Sequence, residues 1–144
     1  MTPVLAIMSD LTRRAAETFG DRLAISVLDT GEQLSFARID ELAGLYAGGL
    51  AAAGVERGDR VVIHMANGVG WVVAYHAIAR LGAVVVPANI LLAPAEVAYI
   101  AADAGARVIL LTADRQDALA TALKGAGCNP MAIVHADCSL AAIP

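Results

Sequence analysis

Short runs of β-branched and other aliphatic residues alternate along this chain with longer, Ala-rich stretches. This alternation is typical of βα units, and it predicts an α/β fold with a mostly parallel sheet and helices on its faces. Four strands are expected to begin near Arg60, Ala83, Arg107 and Met131 and to lie parallel in one sheet. Residues 83–87 are apolar throughout, which predicts a strand buried on both faces.

A short antiparallel hairpin is expected near the start of the chain. Residues 23–28 and 33–36 have strand character, and they flank a turn that contains Asp29 and Gly31. In the helix that follows, Gly44, Gly48 and Gly49 each lower the helix propensity by up to about 1 kcal/mol. They therefore predict close packing of this helix against another backbone.

Capping residues mark the expected helix ends. Ser9 or Asp10 is predicted to cap a first helix that runs to about Thr18 and stops at Gly20. Ser35 is predicted to cap the second helix, which runs to Gly54.

Three further helices are expected. Asn67 is predicted to cap a helix that runs to about Arg80. Pro94 begins another, with Glu96 in its favourable first turn. The last covers residues 114–124.

Length and composition limit the class of protein. A chain of 144 residues has the length of one domain. Its hydrophobic content of 58% exceeds the roughly 45–50% that is usual for soluble domains, so we expect some exposed apolar surface that a partner would cover. The net charge of −4, with basic residues scattered singly, argues against nucleic acid. Residues 81–95 are too short and too interrupted for a transmembrane helix. The sequence carries no basic signal region before its first apolar run, so a cytoplasmic location is expected.

Metal binding is not predicted. Cys128, His135 and Cys138 form a C-x6-H-x2-C cluster, which has no spacing known for common zinc sites. Both cysteines are expected to be free thiols.

One glycine-rich turn offers an alternative of another class. Gly68 and Gly70 follow a strand and open a helix, as in a dinucleotide-binding protein. In the G-x-G-x-x-G motif of such proteins, however, the position of the third glycine is occupied here by Val73. Residues 87–89, where the motif needs an acidic side chain to bind the ribose, contain none. A tight strand-to-helix turn is the favoured interpretation.

Other chemistry-bearing residues are interpreted as structural. The three histidines lie in apolar surroundings on separate elements, and no serine stands in a G-x-S-x-G turn; these residues are His64, His76, His135, Ser26, Ser35 and Ser139. Two acidic pairs, Asp40 with Glu41 and Asp114 with Asp117, are interpreted as solvated helix faces. Trp71 and Tyr75 are one helical turn apart and are assigned to core or interface packing. The prediction is therefore no catalytic, cofactor-binding or metal residue.

Several segments in register resemble the N-terminal portion of the adenylate-forming family (AMP-dependent synthetase/ligase, acyl-CoA synthetase-like). The resemblance covers about residues 5–135, with Phe36 and Ala93 as departures from common family choices. The segments that carry it are residues 34–50, 54–61 with their Gly-Val-Glu-Arg-Gly-Asp-Arg-Val string, 65–67, 77–89, 91–99 and 104–109.

The resemblance implies a ligase that activates a carboxylic acid with ATP and magnesium as an acyl adenylate and passes it to a thiol such as coenzyme A. In the family, the phosphate loop and the catalytic lysines lie beyond the region present here. Residues 1–144 are thus expected to form an incomplete, truncated N-terminal subdomain that is inactive and binds no cofactor alone. Its expected partner is the remainder of the ligase or a second copy. A non-catalytic binding or assembly module is the alternative, and a small dinucleotide-binding protein a weaker one.

Overall fold

The computed structural model describes residues 7–135, with side chains as far as Met131. The strands within this range are β1 (Leu23–Ser26), β2 (Gln33–Ser35), β3 (Arg60–His64), β4 (Val84–Pro87), β5 (Val108–Thr112) and β6 (Met131–His135). The α-helices are α1 (Leu11–Phe19), α2 (Phe36–Ala52), α3 (Val69–Arg80), α4 (Pro94–Ala104) and α5 (Gln116–Gly125). Short 3-10 turns, Met8–Asp10 and Ala113–Arg115, precede α1 and α5.

The main sheet has four strands in the order β4-β3-β5-β6, and all of its neighbours are parallel. β1 and β2 form a separate antiparallel pair. The α/β fold, the four parallel strands and the early hairpin that the sequence predicted are thereby confirmed.

Alternate residues of the two central strands feed two cores on opposite faces of the sheet. Val61 and Ile63 lie in a core with residues of α2 and α3. Val62 and Ile109 lie in a second core with residues of α4 and α5. The near-continuous apolar sequence of β3 and β5 follows from this burial on both faces.

The prediction that residues 83–87 form a strand buried on both faces is wrong. β4 pairs only with β3 among the described strands, and Val84 is 48% exposed. Pro87 lies at its end, where the missing N–H is tolerated because an edge strand has fewer ladder bonds to make. An apolar run alone does not distinguish a central strand from an edge strand.

Predicted caps agree with the structure at α2 but not at α1. Ser35 Oγ accepts the backbone N–H of Arg38 at 3.1 Å. Asp10 precedes α1 but caps no backbone N–H with its side chain; its carboxylate instead pairs with Arg13 at 2.9 Å. The preceding 3-10 turn already holds Asp10 in a helical conformation, which explains the difference. Gly20 ends the helix as predicted, with φ of 53°.

α4 begins at Pro94, as predicted, and Glu96 fixes its first turn. The Glu96 carboxylate accepts the Ala93 N–H at 2.8 Å, which is one half of a capping box. Ala93 has no side-chain oxygen to supply the other half.

Gly44 and Gly48 of α2 do not pack against another backbone as predicted, and the prediction for Gly49 stays untested. A Cβ at Gly44 would lie 2.9 Å from the guanidinium Nη1 of Arg80, whereas a Cβ at Gly48 would meet nothing within 4 Å. Gly44 thus makes room for an arginine head group, and Gly48 faces open space.

The interpretation of Asp40 as a solvated helix residue is also wrong. Its carboxylate pairs with Arg80, and the two side chains are only 24% and 27% exposed. Glu41 does lie on the exposed face, where it pairs with Arg38 at 2.6 Å.

The Gly-Asp-Arg-Val string joins α2 to the sheet. Asp59 accepts the Glu56 N–H at 2.9 Å and so fixes the turn. Arg60 donates to the carbonyls of Ala104 and Gly105 at 2.8 and 2.7 Å, at the C-terminal end of α4. A cation at that end complements the helix dipole, so this motif has a structural role.

Within residues 7–135, none of the helices has the length and apolar character that crossing a membrane requires.

Candidate functional site: the carboxyl edge of the sheet

The strand order identifies where a ligand would bind in this fold. From β3 the chain moves to β4 on one side, and then crosses to β5 on the other side. In open parallel sheets, the crevice at such a switch point, outside the carboxyl ends of the strands, is the usual ligand site. Here that point lies between the ends of β3 and β5.

A cleft of about 230 Å³ is present at this position, and we call it the switch-point cleft. Its lining comes from the end of β3, the start of α4 and the segment that follows β5. The residues are His64, Pro94, Asp114, Arg115, Ala118 and Leu119.

His64 is the buried polar residue of this cleft. It is 2% exposed, and its Nδ1 makes no hydrogen bond within the described residues. Nε2 lies 3.5 Å from Nη1 of Arg115. Burial lowers the pKa of His64, and Arg115 adds to this effect, while the backbone at Ala88 and Asn89 and the charge of Asp114 oppose it. The imidazole is therefore neutral at neutral pH.

The glycine-rich turn is a tight connection between β3 and α3. Gly68 is the N-cap residue in an extended conformation, with φ of 170°, and α3 has no side-chain cap. The predicted cap by Asn67 is thus wrong, because the helix begins one residue later than that role requires. Val73 is fully buried in the core, and Asn89 accepts the Leu91 N–H at 2.9 Å to close its own loop. This geometry favours the tight-turn interpretation.

The aromatic residues of α3 pack as predicted. Trp71 and Tyr75 stack with their ring centroids 5.5 Å apart and lie against the core. The ring of His76 meets that of Tyr75 edge-on at 5.4 Å. Burial lowers the pKa of His76, with a further contribution from Arg80. His64 and His76 are on separate elements, and the interpretation of both as structural residues stays a prediction.

The structure assembles no metal site from the residues that it describes. Cys128 is half-buried and forms no disulfide with a described residue. Cys138 and Ser139 lie outside the described residues, and the side chain of His135 is likewise not described, so the pairing of the two cysteines stays untested. Ser26 ends a strand of the hairpin.

Sequence reasoning missed the juxtaposition of His64 with Arg115. The two residues are 51 positions apart, and neither belongs to a recognisable motif. The available signal was topological, since both follow or end strands that are neighbours in the sheet.

The fold defines the chain as an open α/β domain. Its strands have the order β4-β3-β5-β6, and a crevice lies at the carboxyl edge of the sheet. A sequence model described as AMP-binding enzyme matches residues 12–141. The chain belongs to this family, and it matches the N-terminal part of acyl-CoA ligases.

Individual relatives are CoA ligases with different acids in their names. A long-chain-fatty-acid–CoA ligase of Mycobacterium tuberculosis is 38% identical over 81 residues, which are 56% of this chain and 16% of that protein. One from Thermus thermophilus is 40% identical over 103 residues, 70% of this chain and 19% of the relative. A 4-coumarate–CoA ligase of Oryza sativa is 41% identical over 90 residues, covering 62% and 17%.

Solved structures of related proteins have the same fold as this chain. An inhibitor-bound N-terminal domain of FACL13 from M. tuberculosis superposes with a TM-score of 0.83 at 28% identity, over 93% of this chain and 34% of that one. ATP-bound MatB from Rhodopseudomonas palustris gives a TM-score of 0.73 at 26% identity, over 88% and 25%. The chain spans only about a fifth or less of the length of the three curated CoA ligases named in the preceding paragraph.

Proposed function

We propose that this chain supplies the N-terminal part of an ATP-dependent acid–thiol ligase, which activates a carboxylic acid as an acyl adenylate and transfers it to coenzyme A. The observation that carries the proposal is the family match over residues 12–141. The fold supports it, because the match to the FACL13 domain covers 93% of this chain. Residues 1–144 would then be a single partial subdomain, with the phosphate loop outside it.

In this proposal, the isolated chain neither binds ATP with magnesium nor adenylates acids. Holding a triphosphate requires a glycine-rich loop, clustered cations or carboxylates for the magnesium ion. The sequence contains one lysine, Lys124, and it is exposed near the end of α5. No Walker-type loop occurs in the sequence.

Exposed apolar side chains support a partner for this chain. Leu11 and Phe19 of α1 are exposed, and both line one cleft of about 310 Å³ on that helix. Apolar residues that gather on one surface mark interaction sites. We propose that the remainder of the ligase covers this surface, and that a second copy covers it when the remainder is missing.

Calorimetry with ATP and magnesium on the purified chain, beside size-exclusion chromatography and binding of a hydrophobic dye, tests this proposal. We expect no ATP binding, with self-association or strong dye fluorescence. Micromolar ATP affinity in a monomer that does not bind the dye would overturn it, because the chain would then be a complete nucleotide-binding domain.

A further inference from the structure

We draw no further inference here: the strongest candidate, the cleft of about 480 Å³ between α3 and the edge strand β4 that Arg57, Tyr75 and Arg80 help to line, carries nothing, because Arg80 is already bound to Asp40 and Thr12 and nothing in the structure shows what covers the cleft.

Discussion

Arg80 of α3 is paired with Asp40 of α2, and the same Nη2 atom donates to Thr12 Oγ1 of α1 at 2.8 Å. One guanidinium thus links three helices. Thr12 is buried, and the chain around Gly44 leaves space for the arginine head group. This contact adds a polar link to the apolar packing of α2 and α3.

Removing the charge of Asp40 should destabilise the fold. Asp40→Asn leaves Arg80 partly buried without its counter-ion, and hydrogen bonds to charged groups contribute about 1.5–3 kcal/mol. Because both side chains are about a quarter exposed, we expect a loss of roughly 1–2 kcal/mol in urea unfolding. The neighbouring Glu41→Gln, which breaks only an exposed pair, should change the free energy of unfolding by less than about 0.5 kcal/mol. Equal effects of the two variants would contradict this role for Asp40.

Alanine substitutions at two glycines of α2 should have different effects. Gly48→Ala should stabilise the protein by about 0.5–1 kcal/mol, because the helix gains propensity and the new methyl group meets nothing. Gly44→Ala should lose most of this gain, since its methyl group displaces a guanidinium that Asp40 and Thr12 hold. Thermal unfolding of the two variants compares them, and equal stabilisation would show that Arg80 moves aside freely.

Removing the side chain of Ser35 should lower the stability of the protein, whereas removing that of Asn67 should not. Ser35→Ala removes an observed hydrogen bond to the N–H of Arg38 and should cost about 1 kcal/mol. Asn67→Ala should leave the unfolding midpoint within error, because α3 has no side-chain cap. A clear loss of stability in Asn67→Ala would restore the capping role that the sequence suggested.

Stability should fall with acidification below neutral pH. Burial lowers the pKa of His64 and of His76 in the folded protein. The unfolded chain, with histidine near its ordinary pKa of about 6.5, then binds more protons than the folded one, so the stability is present above that pH and lost below it. Urea midpoints from pH 7.5 to 5.5 in chloride buffer should decline, and less steeply in His64→Gln. A flat profile, or an unchanged slope in that variant, would contradict the buried neutral imidazole.

Much of the fold could be predicted from the sequence because the signals were local. The glycine and proline positions that bound the strands, and the cap at Ser35, act within a few residues. The edge position of β4 could not be predicted, because a run of valines occurs both in strands with one neighbour and in strands with two. The pairs Asp40–Arg80 and His64–Arg115 join residues 40 and 51 positions apart, and only the assembled topology brings them together.

The most direct test of the ligase proposal is a hybrid enzyme. The segment of this chain that aligns with the T. thermophilus long-chain-fatty-acid–CoA ligase, at 40% identity over 103 aligned positions, would replace its counterpart in that protein. The remainder of the host then supplies the parts that lie outside the present chain. A host from which the same segment is deleted serves as the control.

Acid-dependent exchange of pyrophosphate into ATP is the measurement, because it reports formation of the acyl adenylate. If the chain is the N-terminal part of such a ligase, the hybrid exchanges pyrophosphate well above its background without acid, and the deleted host does not. A hybrid that folds and binds ATP, yet shows no acid-dependent exchange, would contradict the proposal.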